Sequence, residues 1–140
     1  MMVLLLIYLD ANTFIYASLN RKDLGEKSRS ILSEVQGGKI AASSSALSFD
    51  ELVWSVKKQR GETEGIVAGQ AMLNMSGLTI LDVNRIILGS AGSLMKRYHL
   101  NPRDSIHAAS AIGSGAEFIV SEDPDFDALL EIRRKSILGI

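Results

Sequence analysis

Asp10 ends an apolar run in Ile7-Tyr8-Leu9-Asp10-Ala11-Asn12-Thr13-Phe14-Ile15-Tyr16. Glu51 closes Ser48-Phe49-Asp50-Glu51, Asp104 stands just behind Asn101-Pro102, and Asp123 lies in Ser121-Glu122-Asp123-Pro124-Asp125. Gathered at one place, such acids would serve a hard divalent cation, because magnesium and manganese prefer oxygen ligands and phosphate oxygens can complete their shell. Each acid also has a structural use. Asp10 and Asp123 can cap helices starting at Ala11 and Pro124, Ser48 to Glu51 has the pattern of a capping box, and the helix dipole favours Asp104 in a first turn. A cap contributes about 1 kcal/mol. Two carboxylates roughly 4 Å apart at an effective dielectric near 20 repel by about 4 kcal/mol, so capping alone does not justify clustering them, whereas a cation does.

Clustering depends on the elements that carry the acids. Val3–Leu9 is continuously apolar, as in a parallel strand covered on both faces. Helices are expected over Asp23–Gly37, ending at Gly37-Gly38, over Ser45–Arg60 with its basic end, and over Glu62–Met75. Further helices are expected over Arg85–Tyr98 and Pro102–Ser114, with a short one over Pro124–Leu130. Lys39–Ala42, Leu78–Val83, Ala116–Val120 and Ser136–Leu138 read as the remaining strands. Strands separated by helices, with no hairpin signal, predict a three-layer α/β/α sandwich around a mostly parallel sheet of four to five strands. In such sheets ligands bind beyond the carboxyl ends of strands where strand order reverses, and Asp10 and Asp123 both sit just past such ends.

Composition narrows the classes. A chain of 140 residues, 46% hydrophobic and 22% charged, fits one globular domain over 1–140. Fifteen basic against sixteen acidic residues leave no strong overall field toward nucleic acid or an anionic membrane, so any polyanion contact must be local. The absence of cysteine removes disulfide and thiolate chemistry and accords with a reducing cytoplasm. The N-terminal apolar run lacks a basic leader and meets Asp10 before it could span a membrane, so it is expected to be a strand.

The segments Leu9 to Tyr16, Asp50-Glu51-Leu52, Asp104-Ser105-Ile106-His107-Ala108-Ala109-Ser110-Ala111 and Val120 to Phe126 resemble the successive motifs of the PIN-domain nucleases. Within that family the chain is most similar to the VapC toxins of toxin–antitoxin pairs, over nearly its whole length. The resemblance implies a metal-dependent endoribonuclease using one or two Mg2+ or Mn2+ ions, leaving 5′-phosphate products. It assigns Asp10, Glu51, Asp104 and Asp123 to the acidic metal-binding set, with Asp10 and Asp104 central and Asp125 an outer member. Asn12 and Ser121 match polar positions that support the site. A small antitoxin partner, an RNA substrate and a homodimer are the family's expectations.

Other residues have plainer readings. His107, three residues after Asp104, is expected to pack in a small-residue helix, and His99 to lie on the surface. Lys57, Lys58, Arg60, Arg97, Arg103 and Arg133-Arg134-Lys135 could hold phosphates, although most read as solvated helix ends; Arg103, adjoining Asp104, is the chosen substrate contact. Trp54 and Phe49 read as packing residues. Two rivals compete. Asp10-Ala11-Asn12-Thr13 is one residue from the Asp-x-Asp-x-Thr of haloacid-dehalogenase-like phosphatases, but Asn12 cannot serve as general acid or base. The other rival is a binding module of the same fold without catalysis.

Overall fold

A computed structural model describes residues 4–140. The strands are β1 (Leu6–Leu9), β2 (Ala41–Ser45), β3 (Leu78–Leu81), β4 (Phe118–Val120) and β5 (Arg133–Lys135). The helices are α1 (Ala11–Leu19), α2 (Asp23–Gln36), α3 (Ala46–Arg60), α4 (Glu62–Leu73), α5 (Arg85–Tyr98) and α6 (Pro102–Ser114). Pro124–Ala128 and Ile137–Gly139 form 3-10 turns. The strands make one parallel sheet in the order β3-β2-β1-β4-β5. The chain builds outward from β1 to β3, then returns to the other side of β1 for β4 and β5. Strand order therefore reverses between β1 and β4.

Helices cover both faces, giving the expected three layers. Ile7 and Leu9 of β1 and Val120 of β4 face a core of Phe14, Ile31, Leu32, Val35, Leu52, Val56 and Met72 from α1 to α4. Tyr8 and Ile119 face the opposite way, into Ala91, Leu94, Ala108, Ala109 and Ala111 from α5 and α6. With both faces buried, alternation of polar and apolar residues disappears from the strand, which is why Ile7 to Leu9 reads as one apolar run.

Several boundaries differ from expectation. The first strand begins at Leu6 as described, and Val3 lies outside the described residues. β2 occupies Ala41–Ser45 rather than Lys39–Ala42, because Gly38 takes φ +79° and the chain straightens only after that turn. Its serines are weak strand formers, yet they are buried between β1 and β3, and Ser44 Oγ donates to Leu9 O at 2.6 Å. The fifth strand is Arg133–Lys135, and the expected strand Ser136–Leu138 is the 3-10 turn. An edge strand needs no apolar run, and charge there discourages pairing with another molecule. The capping box at Ser48 to Glu51 does not form: Ser45 caps α3 by accepting from Leu47 N at 3.0 Å, which places Glu51 in the second turn. α5 runs through Gly89 and Gly92 uninterrupted.

Candidate active site

The acids converge at the carboxyl edge of the sheet, on the switch between β1 and β4. Asp10 is 5% exposed, and its Oδ1 accepts from Asn12 N at 2.9 Å, so it caps α1 as expected. Its own backbone N–H donates to Val120 O at 3.3 Å, joining the two strand ends. Beyond β4, Ser121 Oγ accepts from Asp123 N at 3.0 Å and Asp123 Oδ1 accepts from Asp125 N at 2.9 Å. Asn12 Oδ1 accepts from Glu122 N at 3.1 Å and from the Ser121 hydroxyl at 3.4 Å. Asn12 and Ser121 thus brace the loop that presents Asp123. Glu122 is turned away, its carboxylate accepting from Ile137 N at 2.6 Å, and Asp123 is the acid that faces the cleft.

Asp104 sits in the first turn of α6. Asn101 caps that helix by accepting from Asp104 N at 2.9 Å, and its amide donates to Asp104 Oδ2 at 2.8 Å. Glu51 reaches across from α3, with Oε1 2.6 Å from His107 Nε2. His107 Nδ1 lies 2.8 Å from the Tyr8 hydroxyl. His107 is buried as expected, but in contact with Glu51 rather than with alanines alone. Tyr8 is the residue the sequence reading overlooked, although a tyrosine in a doubly buried strand must find a partner for its hydroxyl.

Asp10, Asn12, Glu51, Asn101, Arg103, Asp104, His107 and Asp123 line a polar cleft of about 560 Å³. Asp104 and Asp123 of this cleft and the exposed Asp125 beside them each offer a carboxylate oxygen, all within 4.8 Å of one another. Asp125, expected as an outer member, belongs to this tight group, while Asp10 and Glu51 line the same cleft outside it. Burial pushes Asp10 up to about 6, partly offset by the Ser121 hydroxyl and His107. Asp104 is also pushed up to about 6, first by burial and then by the neighbouring Asp123. Carboxylates that repel one another in a shaped cleft suit a hard divalent cation, which would remove both penalties.

Arg103 is the guanidinium on the cleft wall. Four other candidate phosphate contacts are engaged elsewhere. Arg134 makes a two-pronged pair with Asp127 and donates to Ser121 O, Lys135 lies over the Phe118 ring, Arg97 pairs with Glu131, and Lys58 lies over Trp54. Trp54 is 57% exposed and does not serve the core, contrary to expectation; Phe49 is also exposed, at 37%, with its ring edge beside Gly69 of α4.

The sequence profile described as PIN domain matches residues 7–131. The chain belongs to the PIN-domain family. The match supports the nuclease reading over the phosphatase alternative, whose second acid is replaced here by Asn12, an amide that cannot exchange a proton. No curated protein matches the sequence. The PIN fold is nonetheless shared with solved structures at low identity. VapBC2 from Rickettsia felis, bound to a DNA fragment from its promoter, is 18% identical, with a TM-score of 0.73 over 94% of this chain and 98% of that one. The DNA-bound VapBC of Salmonella typhimurium is 21% identical, with a TM-score of 0.72 over 96% and 99%. VapC20 of Mycobacterium tuberculosis, a sarcin–ricin loop cleaving toxin, is 14% identical, with a TM-score of 0.73 over 91% and 98%. Among the described residues of this PIN domain, no helix is long and apolar enough to cross a membrane.

Proposed function

We propose that residues 1–140 form a single nuclease domain, a magnesium- or manganese-dependent endoribonuclease acting as the toxin of a toxin–antitoxin pair in the cytoplasm. The observation that carries this reading is the convergence of Asp10, Glu51, Asp104 and Asp123 on one cleft at the sheet's switch point. Asp104 and Asp123, joined by Asp10 and Asp125, would hold the cation. Bound there, the ion supplies a water of lowered pKa and neutralises charge on the scissile phosphate. Arg103 contacts a flanking phosphate, Asn12 and Ser121 keep Asp123 in place, and Glu51 orients the attacking water from the α3 side of the cleft. RNA as substrate draws support from the sarcin–ricin loop cleavage ascribed to VapC20, and an antitoxin partner from a toxin–antitoxin complex of Klebsiella pneumoniae with the same fold.

The exposed apolar side chains Trp54 and Val67 on α3 and α4, and Ile86 and Leu88 on α5, suit contact with an antitoxin and with a second copy of the chain. Cleavage of RNA to 5′-phosphate ends should require Mg2+ or Mn2+ and stop with EDTA. Asp10→Asn and Asp104→Asn should each lower the rate about a hundredfold or more while circular dichroism stays unchanged. Folded variants as active as wild type would show that the site is misassigned. Wild-type protein that binds RNA but never cuts it would favour the non-catalytic module.

A further inference from the structure

Glu51 lies in the second turn of α3 on a flexible side chain that is 20% exposed, yet its Oε1 is fixed 2.6 Å from a histidine whose side chain is only 3% exposed. That histidine is held in turn by Tyr8, which is fully buried. The three residues come from α3, α6 and β1, so no local turn or cap explains their meeting. Packing would account for a buried imidazole, but not for both of its nitrogens being matched. Nε2 faces a carboxylate, so it must carry a proton; two facing acceptors would repel. A neutral imidazole then has a lone pair on Nδ1, which needs a donor, and the Tyr8 hydroxyl is placed to supply it. Among the described residues no hydrogen bond occupies Glu51 Oε2, which is left for the cleft.

We propose that His107 is a positioning residue for nucleolysis: the Tyr8 hydroxyl fixes the imidazole as the Nε2–H tautomer, and that N–H aims the Glu51 carboxylate into the cleft. The inference rests on the nuclease reading of that cleft. Its test compares wild type with Tyr8→Phe, His107→Gln and His107→Asn, using Asp10→Asn as the control on the chemistry. Glutamine can present an amide N–H where Nε2 stood, whereas asparagine reaches only the Nδ1 position. His107→Gln should therefore keep kcat for RNA cleavage within about threefold of wild type, and His107→Asn should lose about 10- to 100-fold with KM for RNA unchanged. Tyr8→Phe, which removes one oxygen and no volume that packing needs, should lose about tenfold. Equal losses in Gln and Asn, or full activity in both, would overturn the proposal. The chain has two histidines, so 15N spectra of the imidazoles can be assigned by the signal missing in His107→Gln. The expected signature is a proton on Nε2 and none on Nδ1, with that preference weakened in Tyr8→Phe; a proton on Nδ1 would overturn the relay. Should Asp10→Asn remain fully active, the nuclease reading falls, and the spectra alone decide the hydrogen-bond order.

Discussion

Asp10 illustrates how one side chain can hold a helix and still serve a cleft, since capping uses only one of its oxygens. The arrangement carries a penalty, because burial lifts its pKa from 3.8 to about 6. A group whose folded pKa is raised adds to stability fully below its unfolded value and loses that contribution as pH rises through the folded one. At pH 7 the ionised Asp10 therefore opposes folding. Asp10→Asn, which keeps a capping oxygen, should raise the unfolding free energy at pH 7 without cation by about 1–3 kcal/mol. Urea titrations should show that advantage shrinking as pH falls from 7 to 4; an unchanged or lower stability at pH 7 would contradict it. The acids were legible in the sequence because their types and order stand out. The Tyr8–His107–Glu51 contact was not, because it joins residues 99 and 56 positions apart in sequence, Tyr8 to His107 and His107 to Glu51, through side-chain geometry that no local pattern encodes.

At the scale of elements, the long helices were readable wherever caps and apolar periodicity agreed. Arg85–Tyr98 and Pro102–Ser114 were bounded to the residue, the first by Asn84 accepting from Ile87 N and the second by Asn101 and Pro102. The short sheet-edge elements were not readable. Three residues of Arg-Arg-Lys have no strand signature, and their pairing is decided by β4 alongside them rather than by their own propensity. α5 carries a testable inefficiency. Gly89 is exposed within the helix and a Cβ there would meet open space, so Gly89→Ala should stabilise the protein by about 0.5–1 kcal/mol, read from the midpoint of chemical denaturation. Loss of stability would contradict the open space that surrounds a Cβ at this position.

For the whole molecule, the placement of the cleft follows from topology: one reversal of strand order brings the ends of β1 and β4 together, and α3 and α6 close the sides. The proposed homodimer should appear in light scattering at micromolar concentration as twice the 15.2 kDa chain mass, and a monomer throughout would count against it. The two rims of the sheet also differ in a way that matters when the protein is made in quantity. β5 is guarded by Arg133, Arg134 and Lys135, whereas β3 ends the opposite side with Leu78-Thr79-Ile80-Leu81, partly open and uncharged. Such a rim is a template for strand addition during heating or overproduction. Thr79→Lys, at an exposed position of β3, should leave cleavage intact and delay the onset of turbidity on warming. If that outcome holds, solubility can be tuned at the margin farthest from β5 without touching an acid of the cleft.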